Sequence, residues 1–387
     1  MSSKPSVTIL NCSDYSGCST WRMLFPSWAV RTQFKQIATI DTMMYIFDEK
    51  MYDDINAIML RPGELVSQSE IVERFLCPLR EKNLFWIFYS LDDINVYKDI
   101  PDWNIGKEAY SGDDRYEALK KILQLVDFVI VTTDELKDYY VNEYSLDADK
   151  FLVIPNYMPN WWVGNCFDIE KQMELFKKQQ KHPRVGIISS SSHYDIDNKN
   201  NGIDDITHIE DYIRSSTKEY EWVFVGAIPN SLKDLVNKKE IKYLKSFDIL
   251  NYPNQLSRLE LTSIVAPLQD NIFNRCKSNI KILEASALGI PFLAQDLPNY
   301  SKYTSNVFST ANDLDSKLRN LYSNGSIYKS HIRKNRTMID GNEQYPKGWF
   351  LENNLEVWHR IFSMPKRTME LALNKKPQEN TNVIGVE

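Results

Sequence analysis

The chain has 387 residues, a formal net charge of −6 at pH 7, and 43% hydrophobic and 12% aromatic residues. This length exceeds the usual size of a single hydrophobic core, so we expect two domains. The acidic balance argues against a surface built throughout for nucleic acid, although it leaves room for a local basic groove.

Strand and helix patterns alternate along the first half of the chain. Apolar runs typical of buried strands lie at 7–11, 37–40, 57–60, 84–89, 128–132 and 151–154. Amphipathic patterns between them predict helices at 20–33, 69–82, 115–126 and 135–144, with Asp134 as the N-cap of the last. This alternation predicts a parallel sheet with helices on both faces.

A second alternating half begins at Arg184, after the stretch 155–183, in which NYMPNWW is loop-like and 168–181 is a predicted charged helix. Strands are predicted at 185–189, 222–225, 241–244, 264–267 and 292–294. Helices are predicted at 206–215, 231–238, 252–258 and 277–288, and two more after Asn299, the last at 349–362.

The predicted fold class is therefore α/β, with two Rossmann-like doubly wound domains and a ligand crevice between them at the carboxyl ends of the strands. We expect an N-terminal domain at 1–160, a linker at 161–183 and a C-terminal domain at 184–345. A helix at 346–366 should pack back on the N-terminal domain, and the polar tail at 367–387 should be disordered.

Other features of the sequence indicate a cytoplasmic protein. Its five cysteines are scattered without metal-type spacing, which favours a reducing compartment. The N-terminus does not match a signal peptide, and no apolar stretch is long enough to cross a bilayer.

The segment 263–300 holds the densest group of candidate site residues. Its predicted helix follows a buried strand, and such a helix N-terminus binds anions through its free N–H groups and dipole. Lysine and serine at that point suit a phosphate, while a glutamate two turns further along suits sugar hydroxyls. The candidates are Asp270, Asn274, Lys277, Ser278, Lys281 and Glu284.

The spacing of Lys277, Lys281 and Glu284 places all three on one helix face. A surface ladder of ion pairs would show the same spacing. The small apolar residues of the following turns favour a helix packed tightly on a sheet, and Gly289 is a predicted helix stop. We therefore prefer the binding-pocket interpretation.

Two stretches of the chain resemble retaining glycosyltransferases of the GT-B architecture. SNIKILEASALGIP followed by DLPNY is similar to their donor-binding signature, and VTTDELKDYYVNEYSLDADKFLVIPNYM is similar to the end of their N-terminal domain. The resemblance implies that Glu284 holds the nucleotide ribose and that the backbone near Lys277 and Ser278 approaches the diphosphate. Many members carry a second glutamate where this chain has Cys276, so contacts to the sugar would come from elsewhere, such as Asp270 or Asn274.

The loop 188–198, ISSSSHYDIDN, follows the first strand of the second half. Small hydroxyl residues at a strand's carboxyl end allow close approach to a phosphate, so Ser190 and His193 are further donor-binding candidates. An ordinary flexible loop is the alternative.

The first half of the chain supplies four candidates. Gly17 permits a close backbone approach at a strand-to-helix turn, and Arg22 lies where it could meet an anion. Asp92 and Asp93 follow a strand and are candidate catalytic acids that could orient a hydroxyl or act as a base, together with Asp270. The alternative for Arg22 is a solvated helix arginine, and the alternative for Asp92 and Asp93 is simple capping of the following turn.

Taken together, the motifs SGCSTWRMLFP, DDIN and NRCKSNIKILE resemble a group of glycosyltransferases common in tailed bacteriophages. That resemblance implies transfer of glucose or arabinose to 5-hydroxymethylpyrimidines in double-stranded DNA, with retention. Such an acceptor base would need to be exposed, and a basic rim would be expected. Trp161 and Trp162 are candidate acceptor-binding residues, and the two basic runs are Lys177, Lys178, Lys181, His182 and Arg184, and Lys329, Arg333, Lys334 and Arg336. Interdomain packing of the tryptophans and solvated helix faces for the basic runs are the alternatives.

The sequence thus predicts an enzyme that moves a sugar from a UDP-sugar to an acceptor hydroxyl without a metal or other cofactor. A glycan or lipid-linked saccharide is the alternative acceptor. A non-catalytic nucleotide-sugar-binding protein and an epimerase are the alternative functions. The identity of the sugar and of the nucleotide, the catalytic base and the oligomeric state stay open.

Overall fold

The computed structural model describes residues 5–12, 17–44, 48–164 and 166–367. The predicted disordered tail at 367–387 lies outside these residues except for Arg367. The chain divides into two compact units. The first contains 1–93, 112–156 and 354–387, and the second contains 94–111 and 157–353.

The first unit is built on a sheet of six parallel strands in the order β2-β1-β3-β4-β5-β6. Every residue of β3 and β4 is buried, as expected for strands covered on both faces. The strands are β1 Ser6–Asn11, β2 Ile37–Thr42, β3 Ala57–Leu60, β4 Trp86–Ser90, β5 Phe128–Val131 and β6 Phe151–Val153.

Within the described residues, six α-helices of the first unit lie between its strands. They are α1 Gly17–Ser19, α2 Phe25–Gln33, α3 Leu65–Ile71, α4 Cys77–Asn83, α5 Asp113–Leu125 and α6 Asp134–Tyr144. The π-helical turns Thr20–Leu24 and Val72–Leu76 join α1 to α2 and α3 to α4. The N-cap of α6 is Thr133, whose side chain accepts a hydrogen bond from the Leu136 N–H at 3.1 Å, so the prediction of Asp134 was wrong by one residue.

The second unit also has a sheet of six parallel strands, in the order β12-β11-β10-β7-β8-β9. Its core includes Ile187, Trp222, Phe224, Val265 and Leu293, all from these strands. The strands are β7 Arg184–Ser189, β8 Glu221–Gly226, β9 Lys242–Lys245, β10 Ser263–Ala266, β11 Phe292–Gln295 and β12 Val307–Phe308.

Helices of the second unit alternate with its strands and continue beyond β12. In the part of the chain that the structure describes they are α7 Asn160–Val163, α8 Ile169–Gln179, α9 Glu210–Ser215, α10 Lys233–Asn237, α11 Tyr252–Ser257, α12 Ile272–Arg275, α13 Ile280–Ala287, α14 Pro298–Ser301, α15 Ala311–Ser323 and α16 Gly325–Asp340. The sequence did not predict β12 or the short helices α12 and α14, because two to four residues are too few to show a periodic pattern.

The last helix, α17 Leu355–Phe362, belongs to the first unit and packs on α2 and β1. Its buried residues Leu355, Trp358, Ile361 and Phe362 have the spacing of one helix face. It begins later than the predicted 349, after a 3-10 turn at Leu351–Asn354. No helix among the described residues is long and apolar enough to span a membrane.

Candidate functional site

The second sheet changes its strand order between β7 and β10, which are neighbours in space although β8 and β9 separate them along the chain. In open parallel sheets, ligands bind at such a reversal point, outside the carboxyl ends of the strands. The loops that follow β7 and β10 therefore form the first place to look for a site. Gly226 ends β8 beside these loops with a φ of 98°, and a Cβ there would clash with the Ser189 carbonyl oxygen.

A buried carboxylate joins these two loops. The Asp205 Oδ2 lies 2.7 Å from the His193 Nδ1, in the loop after β7. The Asp205 Oδ1 accepts hydrogen bonds from the Gln269 N–H at 2.9 Å and from the Asn274 side-chain amide at 2.6 Å, both after β10. Asp205 is 1% exposed and Asn274 is fully buried.

The charges of this network are set by its surroundings. Burial and the positive charges of Lys277 and Lys281 lower the pKa of His193 to about 3, despite the Asp205 partner. Burial alone would raise the pKa of Asp205, but the His193 hydrogen bond, the Lys277 charge and the Gln269 N–H together lower it. Near neutral pH the pair is thus a neutral imidazole that donates its Nδ1–H to an ionised carboxylate.

The two lysines lie at the start of α13, which begins at Ile280 and not at the predicted 277. Lys277 and Ser278 are half-buried in the connection between α12 and α13, and Lys281 lies in the first turn. The Lys277 ammonium lies 4.8 Å from the centre of the Phe273 ring. Neither Lys277 nor Lys281 forms an ion pair with any residue that the structure describes, so the alternative of a surface ladder of ion pairs does not hold in this part of the chain.

Glu284 lies one turn beyond Lys281 on α13 and is held by Tyr252 of α11. The Tyr252 hydroxyl donates to the Glu284 Oε2 at 3.0 Å. The Tyr252 ring is parallel to that of Trp162, with 5.8 Å between the ring centroids. Burial raises the pKa of Glu284 to about 7, partly offset by Tyr252 and Lys281. Burial and Lys277 lower the pKa of Lys281 to about 8.

Other predicted donor residues are placed differently. The Asp270 carboxylate is exposed and is bound by Arg275 at 2.5 and 2.8 Å, which lowers the Asp270 pKa. The Ser190 hydroxyl is exposed and lies 2.6 Å from that of Ser192. Asn274 is fully buried, and its side-chain amide donates to the Asp205 carboxylate and to the Gln269 carbonyl. Its role in donor binding stays a prediction.

The two tryptophans of the linker also differ from each other. Trp162 is 5% exposed, and its Nε1–H donates to the Ile249 carbonyl at 2.7 Å. It is therefore a packing residue beneath Tyr252 and is not available to wedge an acceptor. Trp161 is 49% exposed.

Arg22 is a structural residue of the first unit. It is 1% exposed, and one guanidinium nitrogen donates to the Ile154 carbonyl at 2.8 Å and to the Asn156 side-chain oxygen at 3.0 Å. The guanidinium also lies 5.9 Å from the centre of the Trp358 ring. The expectation that Arg22 meets a ligand anion does not agree with this burial.

The remaining candidates of the first unit lie at strand ends. Gly17 opens α1, where an added Cβ would meet nothing within 4 Å among the described residues, so close packing does not require this glycine. Asp92 and Asp93 follow β4, as predicted, and both are partly exposed. The Asp92 Oδ1 lies 3.8 Å from a guanidinium nitrogen of Arg61, and Arg61 follows β3.

Four of the nine residues in the two basic runs form ion pairs with described carboxylates. In the first run, Lys178 pairs with Glu260 at 3.5 Å and Arg184 with Glu221 at 2.8 Å. In the second, Lys329 pairs with Glu170 at 3.3 Å and Arg336 with Asp340 at 2.7 Å. The exposed Arg333 and Lys334 remain as the cationic part of the second run.

Asp205 and Tyr252 are the two site residues that the sequence patterns did not single out. Asp205 follows Asp204 in a polar loop, where an acid is typical of an ordinary turn. Tyr252 lies 32 positions before its partner Glu284, so no local spacing connects them. The position of Asp205 before the predicted helix at 206–215 was the one available signal, since acids often precede helices.

Solved structures with the same architecture cover nearly the whole chain. Anabaena Alr3699/HepE in complex with UDP aligns over 93% of this chain and 100% of its own, at 10% identity and a TM-score of 0.58. A glycosyltransferase from Rickettsia africae aligns over 94% of this chain and 100% of its own, at 14% identity and a TM-score of 0.55. No family model and no curated protein matches the sequence.

At these identities the likeness establishes the fold. The two parallel six-stranded sheets, each with its helices, match the fold of these GT-B proteins and confirm the expected α/β class with two Rossmann-like domains. Similar structures include Alr3699/HepE bound to UDP-glucose, which aligns over 90% of this chain and 97% of its own, at 11% identity and a TM-score of 0.57.

Proposed function

We propose that this protein is a glycosyltransferase that moves a sugar from a UDP-sugar to an acceptor hydroxyl. The observation that carries the proposal is the group formed by Lys277, Lys281 and Glu284 at the reversal point of the second sheet. Two cations without ion pairs to the described residues suit a diphosphate, and a carboxylate held in place by Tyr252 suits the ribose hydroxyls. The UDP and UDP-glucose complexes of structurally similar proteins support this assignment.

In this proposal the lysines stabilise the negative charge that develops on the diphosphate as the bond to the sugar breaks. A cation held in a partly buried site is effective because little water competes for the developing charge. No metal ion is needed for that role, so chelation by EDTA should leave the reaction rate unchanged. Asp92 and Asp93 are proposed as the acceptor-side carboxylates, and the proposal of retention rests on the sequence resemblance.

The proposed acceptor is a hydroxymethylated pyrimidine in phage DNA, with glucose or an arabinose-like sugar as the group transferred. Its support is the sequence resemblance of the three motifs SGCSTWRMLFP, DDIN and NRCKSNIKILE. The pairing of Lys178, Arg184, Lys329 and Arg336 with carboxylates leaves less free charge for DNA than the sequence had indicated. The experiment therefore includes a glycan or lipid-linked saccharide as the alternative acceptor.

The experiment measures turnover of radiolabelled UDP-glucose and UDP-arabinose. Each donor is incubated alone, with hydroxymethylated DNA, with unmodified DNA and with an oligosaccharide or lipid-linked saccharide. Glu284→Ala should reduce turnover by about 100-fold, corresponding to about 2.7 kcal/mol. Glu240→Gln, an exposed carboxylate change outside the site, is the control and should keep wild-type turnover.

Transfer to hydroxymethylated DNA and not to unmodified DNA would support both donor and acceptor. Transfer confined to a saccharide would reject the DNA acceptor and still support a glycosyltransferase. Conversion of the donor to an isomeric UDP-sugar would identify an epimerase. Binding of UDP without turnover of any donor would favour the non-catalytic alternative.

A further inference from the structure

We propose that Asp205 is a positioning residue for donor binding, which holds the His193 ring and the Asn274 side chain in place at the reversal point of the second sheet. This inference rests on the proposed function, because it assigns a role within the same nucleotide-sugar site. Neither the motifs nor the comparisons point to Asp205.

The geometry gives Asp205 contacts on both sides of the reversal point. One carboxylate oxygen binds His193 of the loop after β7, and the other binds the backbone amide of Gln269 and the side-chain amide of Asn274 after β10. Asn274 in turn donates to the Gln269 carbonyl at 2.9 Å and lies three residues before Lys277. The carboxylate thus fixes the loop that carries the first lysine relative to the loop that carries His193.

The same carboxylate also fixes which nitrogen of His193 carries its proton. Because an ionised carboxylate can only accept, the proton of the neutral ring lies on Nδ1, and Nε2 carries a lone pair. A histidine held in this way keeps one tautomer and one ring orientation. Burial and the two lysines keep the ring neutral by lowering the His193 pKa, so the ring adds no charge to the site near neutral pH.

The sign of the Asp205 effect on affinity separates positioning from simple electrostatics. Asp205 is an anion that interacts with both Lys277 and Lys281. Removing its charge would strengthen the positive potential and tighten the binding of a diphosphate. Loss of positioning would instead weaken that binding. The two roles therefore predict opposite changes in affinity.

The test compares the UDP affinity of the wild type with those of Asp205→Asn and Asp204→Asn at pH 7.5 by calorimetry. Asp204 is the matched control, because its side chain accepts from the Asp195 and Ile206 amides and from the Thr207 hydroxyl, and not from His193, Gln269 or Asn274. We expect about 10-fold weaker UDP binding for Asp205→Asn. For Asp204→Asn we expect wild-type or slightly tighter binding.

A second measurement does not depend on a folded variant of Asp205. In protein labelled with ¹⁵N-histidine, the wild-type His193 signals should show a protonated Nδ1 and an unprotonated Nε2 at pH 7.5. His193→Gln identifies these signals by their loss. A wild-type His193 protonated on Nε2, or on both nitrogens, would overturn the assignment.

The outcomes distinguish this inference from the function on which it rests. Wild-type binding of UDP together with unchanged or tighter binding by Asp205→Asn would reject the positioning role and leave the glycosyltransferase proposal intact. Weaker binding by both aspartate variants would also reject it, since a general loop defect would then explain the loss. Failure of the wild type to bind UDP or UDP-glucose would reject the donor site and the positioning role together.

Discussion

Both sheets have six parallel strands, and the first sheet reverses its strand order between β1 and β3. The cations that follow the strands at the two reversal points are bonded in different ways. In the first unit, Arg22 donates to Ile154 and Asn156, and Arg61 donates to the Ser19 hydroxyl at 2.8 Å. In the second unit, Lys277 and Lys281 form no ion pair with the described residues. Two sheets of similar architecture thus carry arginines bonded to protein acceptors in one unit and lysines without ion pairs to the described residues in the other.

The difference separates cations that hydrogen-bond within the fold from cations that the proposed function assigns to a ligand. Arg22 is tied to the fold through its Nη1, which donates to two protein acceptors. A lysine whose pKa is lowered by burial and by a second lysine is held at a cost in stability. Such a cost is typical of functional sites, where strongly perturbed groups cluster.

The largest expected effect tests the structural role of Arg22. Arg22→Met removes the hydrogen bonds to two buried acceptors, and we expect the free energy of unfolding to fall by about 3 kcal/mol. Urea denaturation followed by circular dichroism measures this change. A variant of wild-type stability that no longer binds UDP would show instead that Arg22 belongs to a ligand site.

Lys281 provides the opposite test in the second unit. Lys281→Met should weaken UDP binding by about 10-fold, or about 1.4 kcal/mol, because it removes the proposed charged contact to the diphosphate. The free energy of unfolding should stay the same or rise, since the lysine is partly desolvated without an ion-pair partner among the described residues. Lys242→Met, an exposed change on β9, is the control and should alter neither quantity.

The paired pKa shifts of α13 predict how donor binding depends on pH. Glu284 has a pKa of about 7, so below that value it is protonated and accepts hydrogen bonds from ribose hydroxyls less well. Lys281 has a pKa of about 8, so above that value it loses its charge. UDP-glucose affinity should therefore be highest between these two values, and fall up to about 10-fold per pH unit on either side.

UDP-glucose suits this measurement because its diphosphate does not titrate in the same range. Glu284→Gln should abolish the fall on the acid side, while Lys281→Met should abolish the fall on the alkaline side. An affinity that stays level from about pH 6 to about pH 9 in the wild type would contradict both assignments.

The smallest expected effect tests the hydrogen bond that Tyr252 donates to the Glu284 carboxylate. Tyr252→Phe removes one hydrogen bond to the carboxylate and should weaken UDP-glucose binding by about 1 kcal/mol. Because that bond lowers the Glu284 pKa, its loss should move the acid side of the pH profile upward. Tyr243→Phe, whose exposed hydroxyl donates to the Gly226 carbonyl, serves as the comparison. Equal pH profiles for the wild type and Tyr252→Phe would mean that the Tyr252 hydroxyl does not lower the pKa of Glu284.

Much of the fold was predictable because its signals are local. Buried strands such as β3 were placed correctly from their apolar runs, and the change from helix to strand at Gly289 follows from its φ of 71, which suits glycine. The pairing order of the strands was not predictable in this way. It depends on contacts such as that of β10 with β7, which lie far apart along the chain.

The candidate site also combines features that local sequence spacing predicts with features that depend on tertiary contacts. The spacing of Lys281 and Glu284 on one helix is a property of the sequence, since a helix brings residues three apart onto one face. The start of that helix at Ile280, the burial of Arg22 and the pairing of Asp270 with Arg275 depend on neighbours that the pattern does not show.

The sequence by itself therefore determined the two alternating halves and the pair of charged residues on α13, because both follow from periodicity over a few residues. The tertiary structure decided which polar side chains are buried and what they bind. Asp205 meets His193 across 12 positions and Asn274 across 69, and Glu284 meets Tyr252 across 32. Such pairs form when loops from separate strands meet at one edge of a sheet, which no local pattern records.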